Sequence, residues 1–183
     1  MPYMQEMIIM EPKPSKVIIL IEDMFNLFEF WYPYYRVQED GIGVSVVGPE
    51  KGKTYAGKPG TEFKADLSPK EVNTADYAGI IIPGGYAPDH MRRHPAMVDI
   101  VRKMDAAGKP VAAICHAGWM LVSAGILKGR KATSFFAIKD DMKNAGALWE
   151  DNAVVVDKNL ITSRTPDDLP VFMKTFLTAL KKS

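Results

Sequence analysis

The chain has 183 residues, 47% hydrophobic and 25% charged, which is an ordinary composition for one globular domain. Its 23 basic and 22 acidic residues leave a formal net charge of +1 without a block of one sign, which argues against a charged nucleic-acid or membrane surface. One cysteine excludes an intramolecular disulfide and fits a reducing cytoplasm.

Residues 1–15 precede the first predicted strand. They have no basic stretch ahead of an apolar run, as a secretory signal would, and no apolar run in the chain approaches membrane-spanning length. Pro12 and Pro14 separate this segment from the first strand. We therefore expect an N-terminal extension over 1–15 and a single domain over 16–183.

Apolar runs of strand length alternate with helical segments along the rest of the chain. Strands are predicted at 17–21, 44–47, 79–82, 111–114, 154–156 and 160–162. Helices are predicted at 25–39, 95–107, 118–124, 138–145 and 168–181, with Asp167 or Asp168 near the last cap and a hairpin or loop excursion over 48–75. This alternation predicts an α/β fold with a parallel sheet covered on both faces.

Four segments come directly after predicted strands and carry polar or glycine residues. They are 22–29, 83–89, 115–116 and 163–164. Because ligand sites of such sheets lie at the carboxyl ends of the strands, we expect these segments to converge on one cleft.

Cys115 lies where an apolar strand is predicted to turn sharply into a helix. Such a turn exposes a nucleophile above the sheet, and the free amides and dipole of the helix stabilise a thiolate. The alternative is an inert, buried cysteine that acts as a small hydrophobic residue.

Two further candidate residues, Gly85 and Glu29, also have two interpretations each. The amide of Gly85, with that of His116, would form an oxyanion hole, or the glycine would only permit a tight turn. Glu29, on an otherwise aromatic and aliphatic helix, would face solvent or would point into the cleft with a raised pKa and donate a proton to sulfur.

Three further patterns resemble known binding motifs, but we do not interpret them as binding sites. His90 and His94 have the spacing of a helical zinc pair, but no third ligand is near, so a solvated basic face is favoured. The segment 48–54 has one residue too few between its glycines for a phosphate-binding loop and leads into no helix. The pair Gly41 and Gly43 lacks the third glycine of a dinucleotide fingerprint.

The sequence Ala-Ile-Cys-His at 113–116, followed by Trp-Met-Leu, resembles the nucleophile motif of the PfpI-type intracellular protease family, within the class I glutamine-amidotransferase-like superfamily. Further blocks, at 29–36, 83–89, 139–146 and 162–170, resemble the family in the same order. The resemblance covers roughly residues 16–182.

The resemblance implies a flavodoxin-like three-layer sandwich that forms homo-oligomers, as dimers or hexamers. It implies a peptide or small-molecule substrate, with no cofactor, metal, nucleic acid or membrane partner. Cys115 would be the nucleophile and His116 its partner. Asp89 matches the acid that orients the imidazole from a neighbouring subunit in the protease members.

The resemblance also assigns the residues around the nucleophile. Glu29 matches the helix glutamate that touches the sulfur, and the amides of Gly85 and His116 match the oxyanion hole. The substrate-binding residues would be Arg164, Trp119 and Phe135.

Four positions depart from the family pattern. Asn26 replaces a second helix glutamate, Phe135 replaces a tyrosine found in some proteases, and Ala117-Gly118 replaces Gly-Pro. Asp89 is shorter than the glutamate of archaeal proteases. These differences bear on peptide cleavage more than on the reactive cysteine.

The residues support three hypotheses. The first is a cysteine-dependent hydrolase acting on peptides, amides or carbonyl adducts, and the second is a deglycase or glyoxalase-like enzyme acting on methylglyoxal or its adducts. The third is non-enzymatic: an oxidative-stress sensor or chaperone that uses the same exposed thiolate.

Overall fold

The computed structural model describes residues 16–58 and 60–182, so the predicted extension at 1–15 lies outside the described residues. The strands are β1 (Lys16–Leu20), β2 (Phe25–Asn26), β3 (Gly43–Val47), β4 (Thr54–Lys58), β5 (Glu62–Lys64), β6 (Gly79–Ile82), β7 (Val111–Ile114), β8 (Lys131–Ala132), β9 (Leu148–Trp149), β10 (Val154–Asp157) and β11 (Leu160–Ser163). The α-helices are α1 (Leu27–Glu39), α2 (Ala87–Met91), α3 (Pro95–Ala106), α4 (Gly118–Ala124), α5 (Lys139–Asn144) and α6 (Leu169–Leu180).

Six strands form the central sheet, in the order β10-β11-β7-β6-β1-β3. All neighbouring pairs are parallel except β10 with β11, which form an antiparallel hairpin. The predicted α/β fold is therefore confirmed, with β10 as an antiparallel edge strand.

The middle strands are apolar because helices cover both of their faces. Every side chain from Val17 to Leu20 is fully buried, as are those from Ile80 to Ile82. Helices α1 and α6 pack against each other and α3 packs against α4, and each pair also contacts strands of the sheet. An unbroken apolar strand is what burial on two faces requires.

The excursion at 48–75 contains the antiparallel pair β4 and β5, as predicted. Its β4 strand also pairs in parallel with the short β2. The segment at 48–54 leads into β4 rather than into a helix, which agrees with its rejection as a phosphate-binding loop.

One predicted helix start is wrong by two residues. Phe25–Asn26 is a strand, and α1 begins after it because the Asn26 side chain caps the amides of Phe28 and Glu29. The closing helix begins at Leu169 with Asp168 at its N-cap position, as predicted. The Asp168 carboxylate accepts hydrogen bonds from Arg164 and makes no capping hydrogen bond.

The histidine pair does not share a helix. His90 lies in α2, whereas His94 precedes α3 and pairs with Glu22 at 3.3 Å. Over 16–58 and 60–182 no cluster of three or more His, Cys, Asp or Glu side chains has a geometry suited to a metal ion. None of the helices in these ranges combines the length and the apolar character that crossing a membrane needs.

Candidate active site

Cys115 occupies the predicted elbow. Strand β7 ends at Ile114, and a single 3₁₀ turn over Cys115–Ala117 leads directly into α4. The backbone φ of Cys115 is +61°, a left-handed conformation that costs a residue with a side chain about 1–2 kcal/mol. The strained turn holds the sulfur above the carboxyl end of the sheet, where only 7% of the residue's surface is exposed.

Glu29 points into the site from the first turn of α1. It is fully buried, and its Oε2 accepts a 2.7 Å hydrogen bond from the backbone N–H of Gly84. Its Oε1 has no hydrogen-bond partner of good geometry among the described residues, and the carboxyl also interacts with the Cys115 thiol. Of the two interpretations of Glu29, the structure supports the one in which the carboxyl faces the cleft.

Burial and mutual repulsion shape the ionisation of this pair. Desolvation raises the pKa of Glu29 from 4.5 to about 7, against the Gly84 hydrogen bond that lowers it. Desolvation, with the Glu29 charge, raises the pKa of the Cys115 thiol to about 12. The amides of the elbow therefore do not outweigh burial in setting the pKa of this thiol, and protonation of Glu29 removes the repulsion that its charge adds.

His116 lies beside the sulfur despite being the next residue in the chain. The sharp turn brings its Nδ1 to 3.3 Å from Cys115 Sγ, and its ring packs between Trp119 and Phe135, with centroid distances of 5.1 and 4.9 Å. Burial lowers the pKa of His116, so the imidazole is neutral at pH 7 and can accept or donate a proton.

Two backbone amides point at the sulfur. The N–H groups of Gly85 and His116 both hydrogen-bond Cys115 and favour its anionic form. Gly85 has a φ of +76°, and a Cβ on it would lie 2.5 Å from the nitrogen of Asn26 and from the oxygen of Met24. Glycine is therefore needed at position 85 both for the positive φ and for the close packing of its backbone against Met24 and Asn26. The amides of Gly85 and His116 have the arrangement of an oxyanion hole.

These groups line one cavity of about 440 Å³. Its walls are mostly apolar, and its lining residues are Met24, Asn26, Glu29, Lys58, Gly85, Tyr86, Cys115, His116, Phe135, Thr165 and Pro166. Of the four segments expected to converge, three do so as predicted. The fourth contributes Thr165 and Pro166, the two residues that come after Ser163 and Arg164.

Three predicted site residues lie outside this cavity. Asp89 pairs with Arg93 in its own chain and lines a neighbouring cavity with Trp119, whose Nε1 donates to Asp141. The guanidinium of Arg164 is bound by Asp168 and Asp151, which raises its pKa. The roles of Asp89, Trp119 and Arg164 remain predictions.

Five lining residues were not singled out from the sequence, namely Met24, Lys58, Tyr86, Thr165 and Pro166. Met24 and Tyr86 lie inside segments predicted to converge, but nothing in their residue type marks them. Lys58 comes from the β4–β5 excursion, and only the pairing of β4 with β2 brings it to the cavity. Nothing in the sequence predicts the pairing of β4 with β2.

Comparisons with known proteins show the family of this chain. The family model described as "DJ-1/PfpI family" matches residues 15–179. A Pyrococcus furiosus protein named Deglycase PfpI is 46% identical over 166 residues, which cover 91% of this chain and 99% of that protein. A Bacillus subtilis protein named Putative cysteine protease YraA is 37% identical, covering 91% and 99%.

A solved structure shares the fold. It is a two-domain protein from Anabaena variabilis with DJ-1/ThiJ/PfpI-like and ferritin-like domains, 42% identical with a TM-score of 0.89. The alignment covers 91% of this chain and 48% of that one, so this chain spans about half of its length.

Proposed function

Because this chain belongs to the DJ-1/PfpI family, we propose that it is a cofactor-independent cysteine enzyme that hydrolyses a small carbonyl compound or its adducts. The observation that carries the proposal is the buried pair of Cys115 and Glu29 beside two amides in one apolar cavity. Relatives named deglycase and putative cysteine protease share this chemistry of a nucleophilic cysteine.

Attack begins with a proton transfer. The thiol proton passes to Glu29, whose raised pKa suits it to hold a proton near neutral pH, and the sulfur forms a bond to the aldehyde carbon of methylglyoxal. The C=O electron pair moves to oxygen, which accepts hydrogen bonds from the amides of Gly85 and His116. Glu29 then protonates that oxygen. When the substrate is an amine adduct, Glu29 gives this proton to the amine nitrogen instead, and the amine leaves the attacked carbon.

Glu29 next moves a second proton. Its carboxylate removes the hydrogen of the sulfur-bearing carbon and returns it to the neighbouring carbon, while the hydroxyl proton on the sulfur-bearing carbon moves to the oxygen of the neighbouring carbon. These two transfers convert the hemithioacetal into a lactoyl thioester. Water attacks the thioester, with His116 accepting its proton, and releases lactate and the thiol. The sum is methylglyoxal plus water giving lactate, so no cofactor is required.

Substitution of the nucleophile tests the proposal. In the Cys115→Ala variant we expect lactate formation from methylglyoxal to fall to the uncatalysed rate, since no other thiol is present in the chain. Enzymatic lactate assay and thermal unfolding of the two proteins measure activity and folding. Full turnover by a folded Cys115→Ala variant would sink the proposal.

Peptide hydrolysis is the second candidate, favoured by the 3.3 Å contact between Cys115 and His116. A cysteine–histidine pair needs a third group to orient the imidazole. Within one subunit Asp89 is bound to Arg93, so this candidate depends on an acid from a neighbouring copy. As part of the proposal we take the enzyme to be a cytoplasmic homo-oligomer. Cleavage of a fluorogenic peptide by the same preparation distinguishes the two substrates.

The non-enzymatic hypothesis makes a different prediction. A sensor would gain oxygen atoms at Cys115 on peroxide treatment and would show no turnover of either substrate. Intact mass before and after peroxide, measured with both activity assays, separates this outcome from catalysis.

A further inference from the structure

We propose that Lys58 determines the specificity of this cavity by binding a carboxylate carried by the substrate close to its reacting carbonyl. The inference rests on the proposed function only for the identity of the substrate. The binding of an anion beside Cys115 is a property of the cavity itself.

The position of Lys58 is fixed by strand pairing. It is the last residue of β4 and lies opposite Asn26 of β2 in a parallel ladder. The ladder is anchored by hydrogen bonds from the Met24 amide to Ala56 O, at 2.7 Å, and from the Ala56 amide to Asp23 Oδ1, at 2.9 Å. Because opposite residues in a ladder project on the same side, Lys58 and Asn26 face the cavity together.

Lys58 shares the cavity with one carboxyl, that of Glu29. Oε2 of Glu29 accepts from the Gly84 amide and the carboxyl interacts with the Cys115 thiol, while Asn26, opposite Lys58, is neutral. Over the described ranges no carboxylate forms an ion pair with Lys58, whereas Arg164 nearby is bound by two. The ammonium group is therefore available to a ligand.

Lys58 is also the only lysine or arginine among the described residues that line the cavity. Its side chain is exposed, so water partly screens its charge, and the apolar side chains of Met24 and Phe135 line the same cavity. The cavity thus combines an apolar pocket for the carbon chain, a nucleophile, and one cation. This combination suits small oxo acids, and adducts on compounds with a free carboxylate, better than neutral carbonyl compounds.

Two alkylating agents of nearly equal size measure this preference at Cys115. Iodoacetate carries a carboxylate and iodoacetamide a neutral amide, and the single cysteine makes total alkylation a report on this site alone. The ratio of their second-order rate constants, divided by the same ratio for the urea-unfolded protein, is the anion preference of the folded cavity.

We expect Lys58→Met to lower this anion preference about fivefold, as loss of one partly screened charge predicts. Lys58→Arg should keep it within about twofold. Lys64→Met is the matched control, because Lys64 is an exposed lysine of the adjacent strand β5 that does not line the cavity. Circular dichroism and thermal unfolding check that each variant is folded.

An equal preference in wild type and Lys58→Met, or an equal fall in Lys64→Met, would overturn the inference. Either outcome leaves the proposed function intact if methylglyoxal is still converted to lactate. Conversely, a fall confined to Lys58→Met in a protein that turns over no carbonyl substrate would support the anion site and refute the proposed function.

Discussion

At the carboxyl end of the central sheet, Cys115 and Met24 hold backbone φ angles of 61° and 67°, and Glu29 keeps one oxygen unpartnered. At the amino end, charged side chains are bound by one another. Arg130 donates to Asp105 at 2.7 Å and to Asn159 at 3.0 Å.

The amino end uses its polar groups to hold strands in place. Asn159 donates in turn to Asp105 Oδ1, at 2.9 Å, and to the carbonyl of Lys109, at 3.0 Å. The Lys109 ammonium donates to the carbonyls of Thr74 and Tyr77, at 2.7 and 2.6 Å. These bonds join the starts of β6, β7 and β11, so this end supplies rigidity.

The remaining non-glycine residue with positive φ in the described ranges is Lys158, in the turn between β10 and β11. Such an angle is ordinary in a tight hairpin. Met24 lies in a turn directly before β2, whereas Cys115 takes its angle where β7 ends and the turn into α4 begins. The comparison shows that backbone strain lies at the carboxyl end, beside the cysteine, while a hydrogen-bonded cluster at the amino end supports the sheet.

The largest stability effect is expected at Gly85. Gly85→Ala places a Cβ 2.5 Å from two backbone atoms at a φ of +76°, so we expect a loss of about 4 kcal/mol in the free energy of unfolding. Gly129 has nearly the same φ, +72°, but a Cβ added there would meet nothing within 4 Å, so Gly129→Ala should lose about 1 kcal/mol. Urea unfolding of both measures the difference. Equal losses would show that close approach at Gly85 does not matter.

Glu29 should make stability depend on pH. Its pKa is raised from 4.5 to about 7 in the folded state, so the folded protein binds more protons than the unfolded chain between these values. The contribution of Glu29 to the free energy of unfolding is therefore fully present below about pH 4.5. About 3 kcal/mol of it is lost as the pH rises to 7. The Glu29→Gln variant should lack this part of the slope. Urea unfolding at several pH values tests it, and parallel curves for the two proteins would contradict the assignment.

A variant of Arg130 tests the hydrogen-bonded cluster at the amino end of the central sheet. Arg130→Met removes the cation that pairs with Asp105 and one donor to Asn159, which still bond each other, and we expect a loss of about 2 kcal/mol in the free energy of unfolding. The rate at which iodoacetamide alkylates Cys115 should stay unchanged, because Arg130 lies at the far end of the sheet. A slower or faster alkylation rate would mean that the two ends are coupled.

Much of the fold could be predicted because its signals are local. Apolar runs gave the six strands of the central sheet, and the run ending at Ile114 predicted the elbow at Cys115. The convergence of distant segments was expected from a general property of parallel sheets. Glu29 and Gly85 could be assigned because each lies in a segment directly after a strand of that sheet.

The rest depended on tertiary contacts. The thiol pKa could not be predicted from the elbow, because it is set by burial and by a carboxyl from another segment. The place of Lys58 required the pairing of β4 with β2, and the capture of Arg164 by Asp151 and Asp168 required knowing where two acids lie. Charges of this kind are located only when the chain is folded.

The bond from Gly84 to Glu29 spans 55 residues, and the cysteine comes from a third, later segment. Contacts between distant residues form late in folding, because the entropy of closing a long loop is lost before the contact stabilises anything. The thiol therefore stays open to solvent until the sheet has assembled around it. A newly made chain is most exposed to oxidants and to electrophiles, including carbonyl compounds of the kind it is proposed to consume, before it can turn any of them over.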